Sequence, residues 1–332
     1  MSFHHSMRTL RIHSNIERFG TTRIPNVTVD HRPLAPDESF SSALRNFRAA
    51  RTSDAVVINT DVSRLLRWCA ISLVLPRRFR LVSLDIVLGR PRTLSQRIAA
   101  RVKKWLLGRV DLFLVYQHDL AGYDQFYGVS PSRSRVIPFK VNVWERLARD
   151  PLPTSDNGHL LFVGRTYRDV PTFLTAVRES GVPCMMVRHS REMAAAHGTG
   201  DVDAGQRPPN LREVVHDGDH ASWLNLIAES RGIVLPIQPD VICCAGISTM
   251  LDAMALGKPV VMTECPATEG FVTTDDLALV PPADADALAT ALRRVSENES
   301  YRDALAARGR ALAARVQGED RLYRDVLTEL TR

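Results

Sequence analysis

The apolar residues of the chain fall into short runs that alternate with longer stretches of helical periodicity. The short runs show no regular in/out pattern, which is typical of strands covered on both faces. Strands are predicted at residues 27–31, 55–59, 80–84, 112–116, 160–163, 185–188, 211–216, 232–236, 259–262 and 277–280. Helices are predicted at residues 40–50, 94–107, 170–179, 221–230, 249–256, 286–295 and, in one or two pieces, 301–331. The alternation predicts right-handed βαβ units and therefore an α/β protein with doubly wound parallel sheets.

The alternation is interrupted at residues 136–153, which hold three prolines and show no clear periodicity. A chain of 332 residues is also longer than an ordinary single domain. We therefore predict two Rossmann-like domains that face a central cleft, residues 1–145 and residues 146–332. The last helix of the chain can pack back on the first of them. Ligands of such sheets bind beyond the carboxyl ends of the strands.

Composition and charge narrow the class of protein. Hydrophobic residues make up 45% of the chain and charged residues 24%, which excludes a disordered chain and a coiled coil. The longest uncharged apolar run, residues 68–76, is far shorter than the roughly 20 residues of a membrane-spanning helix. None of the five cysteines forms a Cys-x-x-Cys pair, which favours reduced thiols. We therefore expect a cytoplasmic protein.

The net charge of +6 conceals two unlike halves. Residues 1–150 carry 25 Lys and Arg against 12 Asp and Glu, whereas the remaining residues carry 18 against 25. A basic first half indicates an anionic partner for that half. Nucleic acid is not favoured as this partner, because no basic patch interleaved with aromatic residues accompanies the charge.

Residues 233–271 contain the largest number of candidate ligand-binding groups. A loop that contains Gly246 follows a predicted strand, and Ser248 and Thr249 begin the next helix. Small residues let a ligand approach the backbone, and a helix N-terminus favours an anion such as a diphosphate. Asp252 lies one turn further on, where a carboxylate can accept two hydrogen bonds from a vicinal diol such as a ribose. Spacing alone leaves open that Ser248 or Thr249 caps the helix and that Asp252 complements its dipole.

The sequence Leu251-Asp-Ala-Met-Ala-Leu-Gly-Lys-Pro-Val-Val261 resembles the Leu-Glu-Ala-Met-Ala-x-Gly-x-Pro-Val-Val signature of the large retaining glycosyltransferase family with the GT-B fold. Residues 161–165, 234–236 and 279–289 resemble further segments of the family in order and spacing. Residues 136–142 resemble its interdomain crossover, with Lys140 where glycine is usual. The resemblance covers the second half of the chain well and the first half loosely. It implies a GT-B fold and a nucleotide-diphosphate sugar as donor substrate, with no cofactor.

The resemblance also implies roles for residues of the donor domain. The arginine that follows the strand's glycine binds the donor diphosphate in the family, and Gly164 and Arg165 match these positions. The family's nearby lysine is absent here, and Arg168 is the nearest cation, at a shorter spacing. The Glu-x7-Glu pair falls on Cys244 and Asp252, which implies a ribose contact for Asp252. A thiol cannot replace the sugar-binding carboxylate, so the sugar and the stereochemistry of transfer stay open.

Other groups complete the predicted donor site. Gly246, Ile247, Ser248 and Thr249 offer N–H and hydroxyl donors to the phosphates, and Glu269 either faces the sugar or is a solvated loop charge. No metal site is predicted. Two Asp-x-Asp sequences, at residues 201–203 and 284–286, match the metal motif of a different glycosyltransferase fold. The first follows no predicted strand, and the second suits a helix cap.

The first half is expected to bind the acceptor and to supply any general base. Asp85 follows the predicted strand 80–84, where many family members place a histidine, and a base there would need its pKa raised by burial. Alternatively, Asp85 is an N-cap or pairs with Arg90 or Arg92. His118 is the rival base, and Asp61 is a weaker candidate.

Residues 90–109 combine an apolar stripe with many cations. Arg97, Arg101 and Lys104 lie along one edge of the predicted helix. A helix of this kind either lies on an anionic membrane surface or packs on its own sheet with a solvated basic rim. Both possibilities stay open at the level of sequence. The stripe consists of Leu94, Ile98, Val102, Trp105 and Leu106.

The expected function is transfer of a sugar from a nucleotide-diphosphate sugar to a lipid-linked or envelope-glycan acceptor, in polysaccharide biosynthesis. The expected location is the cytoplasm, with peripheral association at the inner face of the cell membrane as an option. Alternatives are an inverting transferase or a nucleotide-sugar epimerase on the same fold, and a non-catalytic nucleotide-sugar-binding protein.

Overall fold

The computed structural model describes residues 8–35, 39–188, 192–193, 197–199, 207–216 and 219–332. The chain divides into two compact units, the first made of Met1–Pro138 with Asp320–Arg332 and the second of Phe139–Glu319. Each unit contains a sheet of six parallel strands with helices between them. The predicted α/β class with two Rossmann-like domains is therefore confirmed.

The sheet of the first unit has the order β2-β1-β3-β4-β5-β6. Chain order therefore reverses between β1 and β3, which makes this pair the topological switch point of the sheet. Its strands are β1 (Arg8–Ser14), β2 (Val27–Pro33), β3 (Ala55–Asn59), β4 (Arg80–Leu84), β5 (Leu112–Val115) and β6 (Ser134–Val136). Its helices are α1 (Phe40–Ala49), α2 (Val62–Val74), α3 (Leu94–Leu107), α4 (Ala121–Tyr127) and the last helix of the chain, α11 (Glu319–Thr331).

The sheet of the second unit has the order β12-β11-β10-β7-β8-β9, and its switch point lies between β7 and β10. Helices cover it through a core in which the rings of Phe162 and Phe173 lie 4.5 Å apart. Its strands are β7 (Leu160–Phe162), β8 (Cys184–Arg188), β9 (Leu211–Val215), β10 (Gly232–Leu235), β11 (Val260–Thr263) and β12 (Ala278–Val280). Its helices are α5 (Trp144–Arg149), α6 (Val170–Ser180), α7 (His220–Glu229), α8 (Ile247–Ala255), α9 (Ala285–Glu297) and α10 (Glu299–Val316).

The segment that enters the second unit is tied into it by hydrogen bonds. The N–H of Val141 donates to the carbonyl of Gln317 at 2.8 Å, and Lys140 forms an ion pair with Glu319. These contacts explain why the units divide after Pro138, whereas the sequence placed the boundary at residue 145. Residues 320–332, which include all of α11 except Glu319, are grouped with the first unit.

Several elements of the first unit were not predicted. β1 alternates Leu10 and Ile12 with polar residues, and such alternation differs from the continuous apolar runs that predicted the other strands. β6, α2 and α4 were also missed, as was α5 of the second unit. The predicted helical stretch 301–331 forms two helices, because the backbone turns at Gln317, whose φ is +59°.

Candidate functional site

The loop after β7 forms one side of the switch point in the second unit. It leaves the strand through Gly164, whose φ is +92°, and passes through Tyr167, whose φ is +51°. The loop is joined to the one after β10 by an antiparallel bridge between Arg168 and Ile237. The two loops that flank the switch point are therefore held together at the carboxyl edge of the sheet.

Arg168 is buried in this loop, with 2% of its surface exposed. Its Nε donates to the carbonyl of Val163 and its Nη1 to that of Thr166, both at 3.0 Å. A Cβ on Gly164 would overlap Nη2, so the guanidinium lies directly against that turn. Burial lowers the pKa of Arg168 to about 10, and the group stays charged at neutral pH. No carboxylate pairs with it in the part of the chain that the structure describes, and such a buried cation favours binding of an anion.

Helix α8 begins beside this guanidinium. Its N-cap is Gly246, whose φ is +89° and whose added Cβ would lie 3.5 Å from Nη1 of Arg168. Among the described residues no side chain caps this helix, so the interpretation of Ser248 or Thr249 as its cap is wrong. The N–H groups of Ile247, Ser248 and Thr249 have no acceptor within the helix. They form an anion-binding helix end next to a cation.

Asp252 lies in the next turn of α8, and 1% of it is exposed. Its Oδ1 accepts from the N–H groups of Asn142 and Val143 at 2.8 and 3.3 Å, and its Oδ2 accepts from Nδ2 of Asn142 at 3.0 Å. Burial raises the pKa of Asp252 to about 6, against the opposing effect of these donors and of Lys140. The family resemblance implies that Asp252 binds ribose. In the structure its carboxylate instead accepts hydrogen bonds from Asn142 and Val143, in the segment that enters the second unit.

The other predicted donor-site residues lie in more open positions. Arg165 is exposed, and its Nη1 is 3.9 Å from Sδ of Met193. Glu269 is exposed in the turn after β11, where its N–H donates to the carbonyl of Cys265 at 3.2 Å. Cys244 is half-buried in the loop between β10 and α8.

In the first unit, Asp85 and His118 follow the neighbouring strands β4 and β5, so both lie at the same edge of the sheet. Asp85 is half-buried, and its N–H donates to the carbonyl of Leu114 at 3.1 Å, whereas His118 is exposed. The φ of Asp85 is +54°. Left-handed backbone is uncommon for residues other than glycine and often occurs at functional sites.

The switch point of the first unit opens into a cleft of about 250 Å³. Asp61 caps α2 by accepting from the N–H of Arg64 at 2.8 Å, and its carboxylate lies 3.6 Å from Nε of Arg64. Asn15 exchanges two hydrogen bonds with the backbone of Asn59, at 2.9 and 2.8 Å. Carboxylate, amide and hydroxyl groups together can bind the hydroxyls of a sugar. The cleft is lined by Ser14, Asn15, Glu17, Pro33, Leu34, Asp61 and Arg64.

Helix α3 exposes the apolar stripe that the sequence predicted. The helix packs through Ala100 and Leu107, and it leaves the stripe exposed except at Leu106, which is half-buried. Arg97 and Arg101 are exposed at the edge of the stripe, and Nζ of Lys104 donates to two carbonyls of α4. The exposed fractions are 75% for Leu94, 53% for Ile98, 53% for Val102 and 64% for Trp105.

Within the described ranges, no group of three His, Cys, Asp or Glu side chains is arranged to hold a metal ion. Asp284 caps α9 by accepting from the N–H of Ala287 at 2.8 Å. Asp201 and Asp203 lie outside the described residues. None of the described helices is long and apolar enough to cross a membrane.

Comparison with known proteins identifies the class of enzyme. Residues 157–298 match the family model described as glycosyl transferases group 1. No curated protein sequence matches the chain significantly. Residues 157–298 are therefore similar to group 1 glycosyltransferases, and the protein is a glycosyltransferase.

Solved structures show the fold of the whole chain. Anabaena Alr3699/HepE in complex with UDP and glucose is 15% identical, with 92% of this chain and 86% of that chain covered and a TM-score of 0.64. Sucrose-phosphate synthase from Thermosynechococcus elongatus is 17% identical, with 97% of this chain and 89% of that chain covered and a TM-score of 0.62. The lipopolysaccharide outer core galactosyltransferase WaaB in its apo form is 13% identical, with 98% of this chain and 99% of that chain covered and a TM-score of 0.60. The fold is GT-B.

Two features of the site were beyond sequence reasoning. The sequence offered both Arg165 and Arg168 as donor-site cations, but it could not show that Arg168 is the buried one. Asn142 was noted only as the end of a crossover segment, although it contacts both Ser248 and Asp252. Residues 106 and 110 positions apart in sequence give no local signal of such contacts.

Proposed function

We propose that this glycosyltransferase takes its sugar from a nucleoside-diphosphate sugar bound at the switch point of the second unit. The observation that carries the proposal is the buried guanidinium of Arg168, which lies against Gly164 and Gly246 without a carboxylate partner among the described residues. A diphosphate would supply the missing negative charge. Because a solved neighbour of the same fold holds UDP and another crystal of it holds UDP-glucose, uridine nucleotides are the first ligands to test.

In this proposal the diphosphate accepts hydrogen bonds from Arg168, from the exposed Arg165 and from the N–H groups of Ile247, Ser248 and Thr249. Negative charge builds on the diphosphate as the bond to the sugar breaks. Donors fixed before the reaction stabilise that charge without reorganising. Gly164 and Gly246 allow the phosphates to approach the backbone closely. Glu269 is in the turn after β11 and would face the sugar.

The first unit would bind the acceptor, which we propose is a lipid-linked or envelope glycan used in polysaccharide synthesis. Its cleft at the switch point offers Asp61 and Asn15 to sugar hydroxyls. Asp85 is the proposed general base, with His118 as its rival, because both lie at the carboxyl edge of this sheet. The anomeric configuration of the product, measured by NMR, distinguishes retention from inversion.

Titration calorimetry with UDP tests the donor proposal. Replacing Arg168 by Gln removes a charge-assisted contact, so the affinity should fall by about 10- to 100-fold. Arg168→Lys keeps the charge, so its affinity for UDP should fall less. Arg165→Ala should lower the affinity for UDP several-fold. Arg178→Ala, an exposed arginine near the end of α6, is the matched control and should bind as wild type. Unchanged UDP affinity in folded Arg168→Gln and in Arg165→Ala would overturn the proposal.

We further propose that α3 places the enzyme on an anionic membrane at the cytoplasmic face, where a lipid-linked acceptor would be found. The exposed stripe of Leu94, Ile98, Val102 and Trp105 supports insertion into the interface, and Arg97 and Arg101 support attraction to anionic headgroups.

Sedimentation with lipid vesicles tests this second proposal. Wild type should bind vesicles that contain phosphatidylglycerol, and should not bind pure phosphatidylcholine. Ile98→Glu and the double variant Arg97→Glu, Arg101→Glu should both lose binding. Val215→Glu replaces an even more exposed apolar side chain in the second unit and should bind normally. Retention of vesicle binding by Ile98→Glu would exclude α3 as the docking surface.

A further inference from the structure

The carboxylate of Asp252 forms its hydrogen bonds with another segment of the same chain, at Asn142 and Val143. Three N–H donors, from Asn142 and Val143, occupy both of its oxygens, and the side chain is almost completely buried. A vicinal diol could reach this carboxylate only by displacing the segment at 142–143. Aspartate is one methylene shorter than glutamate, so its carboxylate stays closer to α8 and within reach of that segment.

Asp252 also fixes the orientation of the Asn142 amide. An ionised carboxylate can only accept hydrogen bonds, so the NH2 group of Asn142 must face it and the carbonyl oxygen must face away. The same Nδ2 donates to Oγ of Ser248 at 2.7 Å. Across the described chain, nothing donates to Oδ1 of Asn142 and nothing accepts the hydroxyl proton of Ser248. A free acceptor and a free donor therefore stand side by side on two half-buried side chains.

This pair has the chemistry that two neighbouring hydroxyl groups require. One hydroxyl can donate to Oδ1 of Asn142 while the other accepts from the hydroxyl of Ser248. Ser248 is two residues beyond Gly246, a rise of about 3 Å along the helix, so the pair adjoins the proposed diphosphate site. A nucleoside attached to that diphosphate would bring its ribose to this position.

We propose that Asp252 is a positioning residue that holds Asn142 against α8, and that Asn142 and Ser248 bind the ribose diol of the donor. This inference rests on the proposed use of a nucleoside-diphosphate sugar. It differs from the role that the family resemblance implies, in which the residue at position 252 itself contacts the ribose.

Calorimetry with three ligands tests the inference: UDP, its 2′-deoxy analogue and inorganic pyrophosphate. Wild type should bind UDP about tenfold more tightly than the deoxy analogue. Ser248→Ala and Asn142→Ala should abolish this preference. Pyrophosphate should still bind to both variants, because the backbone N–H of residue 248 is kept and Asn142 is not part of the diphosphate site. Asp252→Asn should also lose the preference, because the amide of Asn142 is released, whereas pyrophosphate should bind as before. Ser180→Ala, at a helical serine near the end of α6, should keep the full preference.

The outcomes separate this inference from the donor proposal. Failure of wild type to bind both UDP and pyrophosphate would overturn the donor proposal and the inference with it. Binding of both ligands, with the preference for UDP intact in Ser248→Ala and Asn142→Ala, would overturn the inference alone. Loss of the preference in Asp252→Asn, but not in the other two variants, would return the ribose contact to Asp252.

Discussion

The two switch points contain different charged groups. At each of them, these groups also differ from what the net charge of the surrounding half of the chain would suggest. At the second sheet a buried cation, Arg168, lies at the switch point, although residues 151–332 have 25 acidic residues against 18 basic ones. At the first sheet the cleft holds Glu17 and Asp61 with Arg64, although residues 1–150 are strongly basic. Net charge therefore says little about the chemistry of a site, since a few buried or converging groups decide it.

The turns at the two edges also differ in residue type. The second sheet uses Gly164 and Gly246 in left-handed backbone, which leaves room for the guanidinium and for a ligand close to the main chain. The first sheet uses Thr60 and Asp85 in the same backbone region, so side chains project at its turns. One edge thus offers N–H groups and a cation to an anion, and the other offers side-chain oxygens.

The largest expected effect is at the edge of the first sheet. Asp85→Asn should lower kcat by about 10²–10⁴ while UDP affinity stays unchanged, because it removes the proposed base without touching the donor site. Steady-state kinetics and calorimetry measure the two quantities. Parallel measurements on His118→Gln and Asp61→Asn are the comparison. If either of these lost kcat instead of Asp85→Asn, the base would be reassigned to that residue.

The next effect concerns the glycine edge of the second sheet. Gly164→Ala should weaken UDP binding by at least about tenfold, since the new Cβ overlaps the guanidinium of Arg168 and the φ of +92° disfavours alanine. Gly181→Ala is the matched control: its φ is +69°, and nothing lies within 4 Å of the added Cβ. It should lose only stability. Equal UDP affinity in the two variants would show that the Gly164 turn has no part in donor binding.

The pH dependence of stability tests the buried carboxylate of the second unit. Burial raises the pKa of Asp252 from 3.8 to about 6, so the folded state binds this proton more tightly than the unfolded state does. Its contribution to the free energy of unfolding is thus greatest below about pH 4 and is lost as the pH rises through 6, by roughly 1–3 kcal/mol. Denaturant titrations of wild type and Asp252→Asn should show a difference that changes in this direction. A constant difference from pH 4 to 7 would contradict the raised pKa.

The smallest effect concerns the side-chain turns of the first sheet. Thr60 is exposed and β-branched, and its φ is +61°. Thr60→Gly should therefore raise the free energy of unfolding by about 1 kcal/mol. Ser63→Gly, on an exposed face of α2, should lower it by about 0.5–1 kcal/mol. A Thr60→Gly variant no more stable than wild type would mean that this turn stores no strain.

Much of the fold could be predicted because it depends on local pattern. β4 and α3 were predicted at the residues where they lie, since a continuous apolar run and a helical stripe are both visible in sequence. β1 was missed because it is an interior strand whose exposed residues alternate with Leu10 and Ile12. Continuous apolar runs indicate only strands that are covered on both faces, and β1 has no such run.

The candidate site was predictable only in outline. The residues around Gly246 were identified because a loop of small residues before a helix has a local physical meaning. Which arginine is buried depends on how the loop after β7 packs, and the two candidates are only three residues apart. The contacts of Asp252 join parts of the chain that are more than a hundred residues apart, so no spacing rule could indicate them.

The sequence by itself determined that the protein is an α/β enzyme of two Rossmann-like units with the GT-B fold, because hydrophobic periodicity and a short motif are properties of neighbouring residues. It also determined the apolar and basic composition of α3, whereas only tertiary packing decided that this stripe is exposed. The tertiary structure likewise placed Arg168 without a carboxylate among the described residues, and turned Asp252 toward Asn142. Burial and hydrogen-bond partners are properties of residues brought together by the fold, and they give identical residue types different chemistry.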